Sequence, residues 1–418
     1  MKKSIYILLS IFLLSMQPAI ARILPASATL SDKATVSLLT VYPRDKAVYA
    51  IFGHTAVRVC DPEQDIDLVY NYGFFDSSKP NFIYHFVKGE TDYILGVEDF
   101  NDFLFDYSRS HAAVDEQILG LSPEEKTSIF NFLNTNALPE NREYRYDYFF
   151  DNCTTRPRDI IEKTIQGKLV YPEQERPVSL RDLVHRCTYP YPWLSFGIDL
   201  VIGSGADSTI MARQELFLPV KLLLALDKAK VRNDTASYAL VAASRSLMES
   251  EDKNISVFRA ENAPMPPFLH TPMFVNGLIL LMVIGMTILG YVRKRRFRGM
   301  DFLLFFMAGT AGCIVCFICF VSTHPCTSYN INVLWLHPLH LLAAVLFLAN
   351  IGQKLRYWYH LINFALLTLF LVSWHWLPQY VPGDAIPLVL CLWIRSGAGL
   401  KSRIATTIFV KQKLRIKN

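Results

Sequence analysis

Cysteine is sparse in this chain, eight in 418 residues. That excludes a disulfide-built scaffold, which wants several pairs in a much smaller domain. Cys60, Cys153 and Cys187 precede the apolar third of the sequence, and the rest lie within it or at its edges. Cys60 with Cys187 is a possible pair. Cys313, Cys316 and Cys319 recur every three residues in an apolar run, a spacing open to a metal or acylation site but met more simply by lipid-facing filler. A net charge of +5 is modest, and nothing in its placement is a nucleic-acid signature, so no nucleic acid is expected as a partner. Acids are missing from residues 401–418, and lysine and arginine are missing from residues 322–332 and 375–384. With 51% hydrophobic residues, the chain is too apolar to be an ordinary soluble protein.

These gaps in charge trace a topology. Met1 to Ala21 has Lys2 and Lys3, an apolar run from Ile5 to Met16 and the small-residue end Ala19-Ile20-Ala21, the pattern of a cleaved secretory signal. Apolar runs near 20 residues long, enough to cross a bilayer core, are predicted at Thr271–Tyr291, Phe302–Val321, Val333–Ile351, Tyr357–Trp374 and, interrupted by Pro387 and Arg395, at Val381–Leu400. Basic residues crowd the loop after the first run (Arg293 to Arg298), the loop after the third (Lys354, Arg356) and the tail. With an exported N-terminal part, an odd number of spans puts all three basic segments on the cytoplasmic side. The expected division is a signal peptide at 1–21, an exported domain at 22–265, a five-helix membrane domain at 266–400 and a cytoplasmic basic tail at 401–418.

In the exported part, Ala47 to Cys60 reads as a strand pair interrupted at Gly53, and Leu68 to Phe75 as the next strand. Asn81 to Gly89 and Thr91 to Val97 continue the β-rich region. Ser122-Pro123-Glu124-Glu125 has the capping-box spacing and opens a helix to about Asn134. An aromatic, β-prone run from Tyr144 to Phe150 breaks at Asp151-Asn152, and Ile160, Ile161 and Ile165 then follow a helical period until Gly167. Cys153 therefore sits where a helix begins. Pro157 is tolerated there because the first-turn amides have no intrahelical partner. The positive end of a helix favours thiolate over thiol, so Cys153 is a nucleophile candidate; the plainer reading is a buried cysteine acting as a small hydrophobe.

A cysteine nucleophile needs a histidine to accept and return its proton, and a polar group to orient that ring. Of His54, His85, His111, His185 and His270, His54 has the most suggestive setting, following Phe52-Gly53 at the head of an alternating strand. There the bare Gly53 would let a substrate approach. A core or edge-strand histidine is the alternative.

FGHTAVRV around His54 and DNCTTRPRDII around Cys153 resemble the two halves of the circularly permuted papain-like fold of NlpC-type and lecithin:retinol-acyltransferase (LRAT)-type enzymes. The order His54, Asn71-Tyr72-Gly73, Asn81-Phe82, Asp151-Asn152-Cys153, Asp199, joined to five spans, is similar to the Bacteroidetes lipoprotein N-acyltransferase family called Lnb. The resemblance covers nearly the whole mature chain. It implies an α+β class: a permuted papain-like (NlpC/LRAT-like) exported domain followed by an all-α five-helix transmembrane domain. The expected setting is a bacterial inner membrane, multi-pass, with the N-terminal domain in the periplasm and the C-terminus in the cytoplasm.

The implied chemistry is acyl transfer through a Cys153 thioester, with His54 as general base and backbone amides at the helix start holding the oxyanion. Asn71 is placed to orient the imidazole, though packing or turn structure is an open alternative for it and for Tyr72, which faces the other way. The acyl donor would be a phospholipid or other glycerolipid, and the acceptor the α-amine of a diacylated lipoprotein; no metal, nucleotide or other cofactor is required. Tyr72 and Asn152 are further substrate-binding candidates. So are His324, Asn330 and Asn332 in the uncharged loop, which could cradle a head group or amine or simply anchor at the interface. Arg395 could meet a phosphate or snorkel to the cytoplasmic face. Competing readings are a cell-wall peptide amidase or peptidase, which has no need of five spans, and a non-catalytic assembly factor or chaperone.

Overall fold

The computed structural model of the chain describes residues 28–44, 47–233, 236–249 and 267–415, with side chains through 400. The signal peptide, the expected boundary at 265 and the side chains of the basic tail lie outside the described residues. The strands are β1 (Thr35–Val41), β2 (His54–Asp61), β3 (Ile66–Phe74), β4 (Asp92–Asp99), β5 (Val114–Leu119), β6 (Glu143–Arg145), β7 (Lys168–Val170), β8 (Lys230–Arg232), β9 (Ser237–Ala239) and β10 (Val241–Met248). The first helices are α1 (Phe82–Lys88), α2 (Phe100–Arg109), α3 (Pro123–Ala137), α4 (Thr155–Thr164), α5 (Leu180–Thr188), α6 (Pro192–Val201) and α7 (Pro219–Lys228). The apolar series follows as α8 (Pro272–Val292), α9 (Arg298–Phe320), α10 (Leu339–Ala349), α11 (Gln353–Ser373) and α12 (Ile386–Arg415).

The chain forms two compact units: Met1–Phe82, Thr91–Glu175 and Met211–Ser256 make the first, while Ile83–Glu90, Arg176–Ile210 and Val257–Asn418 make the second. The units do not follow a single cut in the sequence, because α1, α5 and α6 belong with the apolar helices.

The first unit is built on an antiparallel sheet in the order β10-β5-β1-β2-β3-β4-β6, with β7-β8-β9 as a smaller second sheet. Because side chains alternate along a strand, each strand serves two faces. Val57, Tyr70, Tyr72 and Leu95 fill one, against Ile129, Phe130 and Leu133 of α3, Ile160 and Ile161 of α4, and Leu222 and Leu226 of α7. Leu39, Val41, Ala56 and Val69 line the other and meet Phe103 of α2. The capping box opens α3 as its sequence requires: Ser122 Oγ accepts from the Glu125 amide at 3.2 Å, and the Ser122 amide donates to Glu125 Oε2 at 2.8 Å.

Two stretches differ from the β-rich expectation. Val48–Phe52 is a 3₁₀ turn, so the Ala47 to Cys60 pair reduces to β2 alone. Asn81 to Gly89 is occupied by helix α1. Its aromatic run has strand propensity, but tertiary partners decide: the Phe86, Lys88 and Gly89 carbonyls at its end accept from His324 and Thr323 at 2.7 to 3.1 Å, which satisfies acceptors a helix end otherwise leaves open. The run to Phe150 also stops early. β6 ends at Arg145, and Asp147 Oδ1 turns the chain by accepting from the Phe149 and Phe150 amides.

In the second unit the five expected spans are all present, at Pro272–Val292, Arg298–Phe320, Ile331–Ala349, Gln353–Trp376 and Gly383–Leu400. The third is broken. A short 3₁₀ turn at Ile331–Leu334 precedes Pro338, and α10 begins only at Leu339. Asn332 Oδ1 takes the Trp335 indole N–H at 2.9 Å, and His340 Nε2 lies 2.9 Å from the Trp335 carbonyl, so side chains replace the backbone bonds that the break removes.

Candidate active site

β2 delivers His54 at its first residue, on the face that also carries Ala56; β3 delivers Asn71 to that face, two residues beyond Val69. The two side chains meet: His54 Nε2 lies 3.0 Å from Asn71 Oδ1. Nδ1 is then the ring nitrogen left for the thiol of Cys153, the neighbour whose charge is the main influence raising the imidazole. Cys153 stands two residues before the first residue of α4, and Thr154 Oγ1 lies 3.8 Å from its sulfur and 3.3 Å from Thr55 Oγ1. These contacts tie the helix start to β2.

Burial works against both charges here. It pushes the Cys153 thiol up, but the adjacent His54 and the Thr55 amide outweigh that and leave the thiol below its ordinary value. Burial likewise pushes His54 down, and Cys153 together with the Asn71 hydrogen bond raises it above the usual imidazole range. The net directions favour a thiolate–imidazolium pair.

The chain of contacts continues past Asn71. Its Nδ2 donates to Glu98 Oε1 at 2.7 Å, which fixes the amide so that its oxygen faces His54. Glu98 is pushed up to about 7, by burial first and then by Asp106. Sequence reading missed Glu98. Its signal is the β3–β4 register, in which Val69 opposes Glu98 and Asn71 opposes Gly96, and that register is set by tertiary pairing.

Asn152 has a different task from substrate contact. Its Oδ1 accepts from the Thr154 and Thr155 amides at 2.8 and 2.9 Å, while its Nδ2 donates to the Tyr148 and Phe217 carbonyls at 2.8 and 3.0 Å. It is the cap of α4, and two amides expected to await an oxyanion are spent on it. The Cys153 amide lies outside this cap. Tyr72 faces the opposite core and donates to Asn136 Oδ1 at 2.6 Å. Gly53, expected to open a path for substrate, instead turns the chain into β2 at φ 81°; a Cβ there would lie 2.7 Å from the Val41 carbonyl. The glycine beside the thiol is Gly73, where a Cβ would sit 3.6 Å from that of Cys153.

The remaining candidates belong to the second unit, and their polar groups are engaged within it. His324 Nε2 lies 2.7 Å from the Phe86 carbonyl. Asn330 Nδ2 donates to Leu200 O at 2.8 Å, and Asn332 Nδ2 to Asp199 O at 3.0 Å; both asparagines are buried. They tie the uncharged loop to α6, which leaves no exposed amide to cradle a head group. Arg395, expected to meet phosphate or snorkel, forms a two-bond pair with Asp301 at 2.6 and 3.0 Å and donates to Thr287. Cys60 and Cys187 are both free thiols. Among the described residues, no cluster of three or more His, Cys, Asp or Glu side chains is arranged to hold a metal ion.

Two family models match the chain: the Lnb N-terminal periplasmic domain over residues 26–186 and the Lnb transmembrane domain over residues 265–405. They follow one another in the order that the architecture shows and together cover most of the sequence. The chain belongs to the Lnb family. No curated protein and no solved structure matches it significantly. Lnb membership agrees with the sheet-containing first part and the five apolar helices, and makes the chain a membrane protein with an N-terminal periplasmic domain. The coarse assignment that comes with the Lnb domains is lipoprotein processing.

Proposed function

We propose that the protein is a lipoprotein N-acyltransferase that works through a Cys153 thioester. The observation that carries this reading is the Cys153–His54–Asn71 constellation, in which thiol, imidazole and orienting amide come from a helix start and two adjacent strands. The same arrangement of roles serves thiol acyl transfer on permuted papain-like folds, and the strand-then-helix order of His54 and Cys153 agrees with such a permutation.

In the first half-reaction the Cys153 thiolate attacks the carbonyl carbon of a glycerolipid ester. The tetrahedral oxyanion collapses by breaking the bond to the glycerol oxygen, which takes the proton from His54 and leaves as an alcohol. In the second half, the α-amine of a diacylglyceryl-cysteine attacks the thioester, gives its proton to His54 and expels the thiolate. That restores the ion pair. A free α-amine has a pKa of about 7.7 to 8.0, so a usable neutral fraction exists near neutral pH. The Cys153 amide is the helix-start donor still available to the oxyanion.

An acyl substrate also suits the surroundings of the site. Tyr49 and Phe74, close in sequence to His54 and Gly73, and Phe150, three residues before Cys153, are exposed aromatics. A diacyl lipid gains roughly 0.8 kcal/mol per CH₂ kept out of water, so reaction beside a bilayer avoids a large transfer cost. We place the basic loops and the C-terminus in the cytoplasm, in keeping with the charge bias of the loops.

The test is mass spectrometry of a lipoprotein N-terminus from cells with the wild-type chain or Cys153→Ser. The expected result is a third acyl chain with the first and none with the second. An equal acyl count in both would overturn the assignment, and loss of a cell-wall peptide cleavage in its place would favour the amidase reading.

A further inference from the structure

At one end of the five-helix unit, α8, α9, α10, α11 and α12 and the loop after α8 line a cavity of about 410 Å³. It lies at the end that carries the basic loops, whereas the uncharged loop 322–332 is at the other end of α9 and is bonded to α1 and α6. We propose that this cavity is a binding site for a phosphate-bearing anion, which a membrane supplies as the head group of an anionic phospholipid.

The first observation is charge. Lys294, Arg295, Arg296, Arg298, Arg356 and Arg395 all line the cavity, and the single carboxylate among its described lining residues is Asp301. Asp301 is spent, because both of its oxygens are bonded to Arg395. The other five cations therefore face the cavity with no unpaired acid among the described residues of its wall. A loop that merely marked the cytoplasmic side would hold its charges apart in water, where mutual repulsion is weakest. Here they converge on one concavity.

The second observation is backbone. α9 starts at Arg298 and α11 at Gln353, and both residues line the cavity. Neither helix has a side-chain cap at its N-terminus. Two positive helix ends without side-chain caps thus open toward the same space, the arrangement that favours phosphate.

The third is an orphaned donor. Arg356 Nη1 reaches Asn350 Oδ1 at 2.8 Å, but its Nε, shielded from solvent, has no partner among the described residues. His360 Nδ1, in the same wall, is likewise buried without one. Buried groups of this kind are paired in folded proteins, and an anion in the cavity would supply the missing acceptor. Lining by apolar Phe347 and Phe297 alongside the cations suits an amphiphile more than a fully hydrated ion.

The experiment uses the full chain, purified in detergent and stripped of lipid. Its thermal unfolding is followed during titration with phosphatidylglycerol, with phosphatidylcholine of the same acyl chains, and with inorganic phosphate. The expected result is a rise in melting temperature with phosphatidylglycerol at concentrations where phosphatidylcholine has no effect. The exposed pair Arg296→Gln/Arg298→Gln should weaken this by about 30-fold, given the usual worth of each basic residue near an anionic lipid, and leave the lipid-free melting temperature unchanged. Arg293→Gln/Lys354→Gln, basic residues adjacent in sequence to the lining ones but outside the cavity wall, should keep the wild-type response. Stabilisation by inorganic phosphate alone would keep the site and assign it to a soluble phosphate. Equal stabilisation by phosphatidylcholine, an unchanged response in Arg296→Gln/Arg298→Gln, or an equal loss in the control pair would overturn it.

Discussion

Replacing Asn71 by alanine separates an orienting role from a packing role. The side chain holds His54 Nε2 at 3.0 Å and is itself held by Glu98 at 2.7 Å, so its loss frees the imidazole to rotate and strips Glu98 of a donor. A hydrogen bond to a charged partner is worth about 1.5 to 3 kcal/mol, which converts to a roughly 10- to 150-fold slower acylation of Cys153. The sign of the pH effect follows from the same contacts. Asn71 helps raise His54, and the resulting imidazolium helps lower Cys153; without Asn71 the ion-pair window narrows from both ends. Alkylation of Cys153 by iodoacetamide, read by mass spectrometry of its own peptide, should then begin at higher pH than in the wild type. Asn71→Asp keeps an oxygen for His54 and, beside Glu98, holds a shared proton, so it should recover much of the rate. A wild-type alkylation profile in Asn71→Ala would refute the orienting role.

Glu98→Gln tests the next contact. Glu98 is raised to about 7, above the unfolded value of about 4.3, so the folded state binds the extra proton between those limits and loses stability as pH rises through them. The glutamine variant should show a flatter melting temperature from about pH 4 to 7, and an unchanged slope would count against it. Gly73→Ala forces a side chain onto φ 107°, which should cost about 1 to 2 kcal/mol in denaturant unfolding while leaving Cys153 open to alkylation, since the added Cβ makes only an ordinary contact. In the second unit, buried Arg181 is shared by Asp199 and Asp207 at 2.8 and 2.7 Å. Asp199→Ala should lower stability by about 3 kcal/mol, measured by thermal unfolding in detergent, and Asp199→Asn by less.

Legibility in the sequence followed how local the cause was. The five spans and the Ser122–Glu125 box were readable because length, apolarity and a three-residue spacing are their own causes. Cys153, His54 and Asn71 were singled out from sequence, and the fold brings their side chains together. Glu98 was not readable, because nothing near it in sequence tells that β4 pairs with β3 in the register that brings it to Asn71. Helix α1 was misjudged for a related reason. Its aromatic residues have strand propensity, and the loop that satisfies its last carbonyls lies more than 230 positions along the chain. Asn152 drew notice for its neighbour, and its work as a cap became visible only through the carbonyls of Tyr148 and Phe217.

The membership of α1, α5 and α6 in the second unit bears on how the protein is made. During synthesis these three helices emerge well before the loop at 322–332 that later bonds to α1 and α6. Arg181 and Asp199 can pair early, but the Leu200 carbonyl and the end of α1 must wait, hydrated, for the second span to complete its crossing. Assembly of the membrane part is therefore a late, long-range event. A chain truncated at residue 265 would keep the sheet and the thiol yet carry these helices without their partners.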